Sequence, residues 1–477
     1  MRLLRGRHRA GGRTALTYRE ALASIQGRRR FGVKLGLARI NGLLRELGHP
    51  ERSFRGALVG GTNGKGSVLA LVGSALEVAG YRVGRTPKPH LVTYRERLAI
   101  GERIVDPATF SALVEEVLPV ADRVSRRHGE ISEFEFLTAV AFLWFAQERV
   151  DVAVVEVGLG GRLDATNAWD GGIAGITNVD WDHMDRLGNT LEAIAREKAA
   201  IIKRGDVAVT GAQEPGLGVI RRRARRLGVA LTVAGPLPVV GLDRDGIVVT
   251  ALGFEDGLRV GLRGRHQAAN AAVALALLDA LNGTGIAPTN DEAIARGFAE
   301  ARWEGRLERI EVPRPGHSPR EVWLDGAHNA GGAASLAAAL TDLRPFLAEG
   351  PVTFVLGVMA DKDVPAVLAP LARFVVEDAA RSGRRGAGGP ARIITTRVED
   401  SPRAMPPDRL ADQWRQVAMA AGMADPKVTV TSEPDAALET ALDDEANGPI
   451  VVAGSLYLVG TVRARLVDDP ALRDPDG

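Results

Sequence analysis

The chain has 477 residues, is 45% hydrophobic and 25% charged, and carries a formal net charge of +2 with no cysteine. Such a length accommodates two or three domains of ordinary globular composition, and the missing cysteine excludes disulfides, thiol catalysis and thiolate metal sites. No apolar run approaches the ~20 residues of a membrane span, and no basic patch is interleaved with aromatics as a nucleic-acid surface would require.

Residues 1–17 carry Arg2, Arg5, Arg7, Arg9 and Arg13 with no acid before Glu20. They lack an amphipathic pattern and read as a disordered basic extension rather than a transit peptide. From residue 18 to 47 the pattern is helical, with Ile40, Leu43, Leu44 and Leu47 on one face. The apolar run Ala57-Leu58-Val59 then meets Gly61-Thr62-Asn63-Gly64-Lys65-Gly66-Ser67, and an apolar-periodic segment follows to residue 79. Strand, glycine turn and helix is the geometry that aims backbone N–H groups and a helix N-terminus at phosphate. Lys65 supplies a mobile positive charge, and the Ser67 hydroxyl can reach a phosphate oxygen or magnesium. Gly66 separates the lysine from the serine, so the strict P-loop spacing is not met. Lysine is scarce, standing only at positions 34, 65, 88, 198, 203, 362 and 427 among 61 basic residues. Lysine can lose its proton or be modified where arginine cannot, which draws attention to those positions.

Residues 81–84 read as a second strand, and Pro87 and Pro89 force residues 86–91 into a loop. Residues 107–127 and 134–148 read as helices. The run 150–157 has the continuous apolar character of a buried parallel strand, with Glu156 near its end. The glycine loop 158–167 that follows lacks G-x-G-x-x-G spacing, which disfavours a dinucleotide fold. A further buried strand at 173–179 ends in Asp180-Trp181-Asp182-His183, and a helix at 190–203 carries Lys198. Strands around 206–211 and 229–260 complete the sheet or form an accessory hairpin layer, and 270–281 is an alanine-rich helix.

A polar joint at 302–306 divides the chain near residue 305. Beyond it the pattern restarts as strand (322–324), loop (325–332), helix (333–340) and strand (352–356), and a last strand at 450–453 enters Gly454-Ser455. Residues 380–390, rich in Gly and Arg, read as a surface insertion. The expected organisation is an ATP-binding α/β domain at 18–303 and a smaller one at 304–477.

Glu156 and His183 both follow buried strands in the half that holds the glycine turn, so all three can meet at one sheet edge. Carboxylate, imidazole and hydroxyl suit a magnesium ion bound partly through substrate phosphates. The loop Asp325-Gly326-Ala327-His328-Asn329 could face them across the joint. With no cysteine and no serine–histidine elbow, ATP rather than the protein could activate a substrate. The residues alone reach an ATP- and magnesium-dependent transferase, ligase or ATPase.

The glycine turn, together with Glu156 to Asn167, Asp182-His183, Arg196-Glu197-Lys198-Ala199, His266 to Asn270, Trp303 to Glu308, Asp325 to Asn329 and Gly454-Ser455-Leu456-Tyr457, resembles the folylpolyglutamate synthase/dihydrofolate synthase family of the Mur ligases. The resemblance runs from about residue 18 to 467 in the family's order. It implies a P-loop domain with a mainly parallel sheet of the Mur ligase central-domain type, followed by a smaller Rossmann-like α/β domain. It implies ATP, Mg2+, L-glutamate and a folate or dihydropteroate as ligands of a cytoplasmic monomer.

By the same resemblance, Gly61 to Ser67 hold the phosphates, and Asn270, Arg306, Asp325 and His328 belong to the nucleotide site. Lys65, Glu156, His183 and Lys198 form the catalytic group; Ser67, Glu156, His183 and a carbamylated Lys198 hold the metal. The pterin end of the substrate falls to Ser132, Glu133, Phe134, Glu135, Leu163, Asp164, Ala165 and the Lys34-Leu35 turn. Lys362 and Ser455 are weaker candidates for glutamate. The family's Ser-Pro-His-Leu, whose serine binds magnesium, is here Lys88-Pro89-His90-Leu91. Either the metal shell is rearranged or Lys88 replaces part of the ion's charge. Met184 stands where a threonine is usual, and Glu304 and Ala330 replace prolines. The alternatives are a Mur-type ligase for another carboxylate acceptor and a P-loop ATPase that ligates nothing.

Overall fold

A computed structural model describes residues 15–31, 36–314, 316–381, 391–399, 401–443 and 447–475. The Lys34-Leu35 turn, most of the basic extension and all but the first two residues of the expected insertion at 380–390 lie outside the described residues.

The first sheet has eight strands: β1 (Arg55–Gly60), β2 (Val83–Thr86), β3 (Ala99–Ile100), β4 (Arg103–Ile104), β5 (Val152–Glu156), β6 (Gly172–Ile176), β7 (Val207–Thr210) and β8 (Ala230–Val233). Their order is β4-β3-β2-β5-β1-β6-β7-β8, parallel throughout except where the short β3 and β4 run antiparallel. Helices Pro107–His128 and Glu133–Gln147 cover one face, and Lys65–Val78, Gln267–Gly283 and Asp291–Glu300 cover the other. A strand buried on both faces has no reason to alternate, hence the unbroken apolar runs of β1 and β5. Val59 pairs with Glu156 and Gly60 with Ile176, so β5, β1 and β6 end level with one another. The glycine turn, the 157–167 loop and the 177–183 loop all leave from that edge.

Both expectations for 229–260 are realised. β8 closes the large sheet, while β9 (Val239–Asp243), β10 (Gly246–Ala251) and β11 (Phe254–Val260) form a separate antiparallel sheet. The helical stretch expected from 18 to 47 is divided into Tyr18–Gln26, a 3-10 turn Gly27–Phe31 and Ala38–Glu46. Arg28 lies over Phe136 at 4.7 Å and donates to the Ile131 carbonyl, and Gly36 has φ 146°, which no helix accommodates.

The second sheet contains β12 (Glu308–Arg314), β13 (His317–Leu324), β14 (Thr353–Leu356), β15 (Arg392–Thr395), β16 (Val428–Val430) and β17 (Ile450–Ala453), in the order β12-β13-β17-β14-β15-β16. Only β12 is antiparallel to its neighbour. Trp323, Phe354 and Val451 enter one core while Val322, Val355 and Val452 enter the other, the period-2 alternation of strands. The architecture is thus a mainly parallel α/β sheet with the glycine turn, followed by a smaller Rossmann-like α/β sheet.

The tail returns to the first half. Asp474 Oδ1 accepts from Tyr18 Oη (2.8 Å), Thr93 Oγ1 (2.7 Å) and Arg95 Nε (3.2 Å), and Arg95 also donates to the carbonyls of Ala471 and Arg473. Among the described residues no helix is long and apolar enough to cross a membrane.

Candidate active site

A cavity of about 630 Å³ opens at the level strand edge and is walled on its far side by residues 325–329. The glycine turn is braced from the end of β6. Thr177 Oγ1 donates to the Asn63 carbonyl at 2.6 Å, and Asn178 Oδ1 accepts from the N–H groups of Thr62 and Asn63 at 3.1 and 2.9 Å. The helix that starts at Lys65 leaves the N–H groups of its first turn without acceptors in the helix, and Lys65 to Ser67 line the cavity. Lys65 Nζ donates to its own turn, at the Gly61 and Thr62 carbonyls (3.2 and 3.0 Å). Gly66, the residue that breaks strict P-loop spacing, has a physical reason: a Cβ there would stand 2.7 Å from the Trp303 indole. Gly64 is similarly close to Asn270, whose Nδ2 donates to Gln267 Oε1 at 2.7 Å.

Glu156 is buried at the end of β5. Its Oε2 accepts from the Lys88 backbone N–H at 3.0 Å, and its Oε1 lies 4.0 Å from Lys65 Nζ. Burial raises the Glu156 pKa against the pull of Lys65 and Lys88. Lys88 Nζ donates to the Glu156 carbonyl at 2.8 Å and stands 4.3 Å from the centre of the Phe134 ring. Burial brings its pKa down to about 8, against Asp164 and Glu156. Lys198 is 3% exposed. Burial, reinforced by the Lys65 charge, lowers its pKa to about 7 despite Asp182.

His183 adopts the left-handed conformation (φ 48°), uncommon outside glycine, and lines the cavity beside Asp182. Asp182 Oδ1 accepts from Lys362 Nζ at 3.1 Å, a bridge between the two halves. Burial would raise the Asp182 pKa, but His183 and Lys362 outweigh it and the carboxyl is lowered.

From the second sheet, Asp325 accepts from the N–H groups of Leu307 and Ala327, both at 2.9 Å. Burial raises its pKa against the Arg306 charge. His328 Nδ1 is 2.8 Å from the Gly326 carbonyl, which can only accept, so Nδ1 carries the proton. Burial takes its pKa down to about 4, leaving a neutral ring. Arg306, Asp325 and His328 all line the cavity, as Asn270 does.

At the other end stand Ser132, Glu133, Phe134, Glu135, Leu163, Asp164 and Ala165. Their carboxylates are already engaged. Glu135 accepts from Ser132 and Arg39, and Asp164 accepts from the N–H groups of Leu159 and Thr166 and from the Thr166 hydroxyl. These acids shape the wall, and the Phe134 ring and the apolar side chains beside it are what it offers. Lys362 and Ser455 do not line the cavity: Lys362 sits behind Asp182, and Ser455 is buried as the cap of the helix Leu456–Leu466. Sequence reasoning had not singled out Arg28, Arg29, Arg97, Trp303, Asn329 or Arg403 as site residues, and all six line the wall. Trp303 and Asn329 fell inside motifs already noted; the arginines carried no signal that separates them from the many surface arginines.

Among the described residues, no three His, Asp or Glu side chains gather as a ready metal cage. Magnesium does not require one, since it keeps several waters and takes one or two carboxylates plus phosphate oxygens. Glu156, Ser67 and His183 all line the cavity, and carboxylate, hydroxyl and imidazole are donor types that such an ion accepts.

A parallel sheet with a phosphate turn, facing a second α/β sheet across a shared cavity, is the plan of a Mur ligase. The Mur ligase middle domain matches residues 59–278, and the Mur ligase glutamate ligase domain matches 305–456. A dihydrofolate synthase/folylpolyglutamate synthase of Bacillus subtilis is 38% identical over 72% of this chain and 80% of its own. The Mycobacterium tuberculosis folylpolyglutamate synthase complexed with ADP and AMPPCP superposes with a TM-score of 0.78 at 31% identity, covering 95% of this chain and 100% of that one. Escherichia coli FolC in complex with DHPP and ADP gives 0.76 at 28% identity, covering 93% and 97%. The chain belongs to the folylpolyglutamate synthase/dihydrofolate synthase family, and it is an ATP-dependent ligase.

Proposed function

We propose that the protein joins L-glutamate to the carboxylate of dihydropteroate or a folate, with ATP and magnesium, through an acyl phosphate. The observation that carries this reading is one continuous cavity running from the phosphate turn to Phe134, with Glu156, Lys88 and Lys198 on its wall. In the first step a carboxylate oxygen of the pterin substrate bonds to the γ-phosphorus as the bond from that phosphorus to the ADP oxygen breaks. In the second, the glutamate amine attacks the acyl carbon, gives up a proton and expels phosphate.

Residues 61–67 hold the phosphates, and Lys65 leaves the Gly61 and Thr62 carbonyls to follow the moving phosphoryl group. Asn270, Arg306, Asp325 and His328 take the rest of the nucleotide. Magnesium would be held by Ser67, Glu156, His183 and a carbamylated Lys198, and would neutralise phosphate charge. Carbon dioxide adds only to a neutral amine, and the buried Lys198 with its lowered pKa is suited to supply one. The chain works as a cytoplasmic monomer in two lobes, 18–303 and 304–477, without nucleic acid or membrane.

Turnover of ATP to ADP, measured with dihydropteroate, tetrahydrofolate and L-glutamate omitted in turn, tests this. Dependence on a pterin acid and on glutamate is expected. Turnover that needs neither would overturn the ligase reading in favour of an ATPase.

A further inference from the structure

The Lys88 ammonium stands on the cavity wall at the junction of its two ends. Toward the phosphate turn, the Glu156 carboxylate spans the Lys88 backbone N–H (3.0 Å) and Lys65 Nζ (4.0 Å). Toward the other end its Nζ lies 4.3 Å from the centre of the Phe134 ring. Its one hydrogen bond to the described residues goes to a neutral acceptor, the Glu156 carbonyl at 2.8 Å. That bond fixes the ammonium in place and occupies one of its three donors. No Asp or Glu oxygen of the described residues lies within 4.0 Å of Nζ, although Lys65, Lys362 and many arginines have such partners. Glu156 and Asp164 act on this ammonium only from beyond contact distance, so a carboxylate arriving at Nζ becomes its first close ion-pair partner.

We propose that Lys88 is the docking point for the acceptor's reacting carboxylate, and that it selects an acid whose carboxylate is borne directly on an aromatic ring. The inference rests on the ligase reading above and narrows its substrate. The ring of such an acid lies against Phe134, an arrangement of about 4.5–7 Å between ring centres. Its carboxylate then meets Lys88 and faces the phosphate held by Lys65. A carboxylate at the end of a flexible glutamyl tail gains the charge contact without the ring contact. Lys88 therefore touches the reacting group, and dihydropteroate meets both requirements.

The test is equilibrium binding to the full chain in the presence of ADP and magnesium, comparing dihydropteroate with its carboxamide. The wild type should prefer the acid by about 30-fold or more, the usual loss when a charged partner is removed from a desolvated pair. Lys88→Met and Lys88→Gln should bind acid and amide within about threefold of one another, the residual difference expected of a neutral hydrogen bond. Gln keeps a donor for the Glu156 carbonyl, so it guards against a folding defect in the Met variant, and ADP affinity checks the phosphate site in each. Full acid preference in either variant would overturn the proposal. So would a change confined to the number of Mn2+ ions counted by electron paramagnetic resonance, which would place Lys88 with the metal. A wild type that binds tetrahydrofolate but not dihydropteroate would overturn the aryl-carboxylate assignment and leave the ligase standing. Binding of neither would strike the ligase reading itself.

Discussion

Asn329 donates from Nδ2 to Oδ1 of Asn63 at 3.1 Å, tying the phosphate turn of the first half to a helix of the second. Its own Oδ1 accepts from Gly332 N–H at 2.7 Å and caps the helix Ala330–Leu343. One side chain therefore both starts that helix and fastens it to the turn. Asn329→Ala should lose both contacts, costing ~1 kcal/mol for the cap and raising KM for ATP. Asn329→Asp retains the capping oxygen but not the donor. It should melt close to wild type while still raising KM for ATP. Thermal melts and initial rates separate the two effects, and an unchanged KM in the Asp variant would contradict the coupling.

Gly66→Ala forces a methyl group to within 2.7 Å of the Trp303 indole at its native position. Overpacking of this kind costs about 1–3 kcal/mol, so ADP affinity should fall about tenfold. The double variant Gly66→Ala/Trp303→Leu should recover part of that loss, because the group in the way is gone. Titration calorimetry with ADP reads both, and no recovery would mean that the glycine is needed for its backbone rather than for its neighbour.

Carbamylation of Lys198 predicts a dependence on dissolved carbon dioxide. Protein stripped of bicarbonate should lose activity and regain it on addition, and native mass spectrometry should show the mass of one bound carbon dioxide. Lys198→Ala should lower kcat by about 100-fold. Equal activity with and without bicarbonate would sink the carbamate.

His90 is buried, and Arg97 Nε donates to its Nδ1 at 2.8 Å. Burial, with the Arg97 and Arg29 charges, lowers its pKa to about 2. The unfolded chain takes up this proton as pH falls below about 6.5, the usual value for histidine, while the folded chain does not. Stability contributed by the neutral ring is therefore complete above that pH and shrinks as pH falls toward 2. His328, lowered to about 4 by burial, adds to the same slope between about 6.5 and 4. The melting temperature should fall steadily from neutral pH downward, and His90→Gln should flatten part of that fall. An equal slope in the variant would argue that His90 is protonated in the fold.

The phosphate turn, Glu156, His183 and Lys198 were legible because each is a local signal: a glycine string, an acid ending an apolar run, a histidine just after another buried strand, or a lysine in a chain that favours arginine. Parallel pairing then brings the turn, Glu156 and the loop carrying His183 to one edge, and the helix Leu191–Ala199 adds Lys198 to the same cavity. Arg29 and Arg97 were not legible. Arg29 belongs to a run of three arginines that reads as solvated surface; it is exposed in the fold, and only its contacts with Tyr94 and Glu133 place it at the cavity. The reason for Gly66, which breaks the strict P-loop spacing, lies in Trp303, 237 residues later by its number, which occupies the space a side chain would need. The division of the 18–47 stretch was hidden for a similar reason, since Arg28 is held by Phe136 and Ile131. Side-chain contacts of long sequence separation leave no periodicity to read.

The tail hydrogen-bonded to Arg95, Tyr18 and Thr93 gives the two halves a second tether besides the 302–306 joint, in addition to the side-chain bridges Asn329–Asn63 and Lys362–Asp182 at the cavity. A body hung from one thread can swing and twist in any direction, whereas one hung from two can only rock about the line between them. Once the Asn329 and Lys362 bridges part, the two tethers should confine opening of the cavity to something close to a single rotation, like a door rather than a tethered weight. Arg95→Ala, which unfastens the second hinge pin, should broaden the range of interlobe distances seen by double electron–electron resonance, and an unaltered distribution would show that the first joint alone sets the axis.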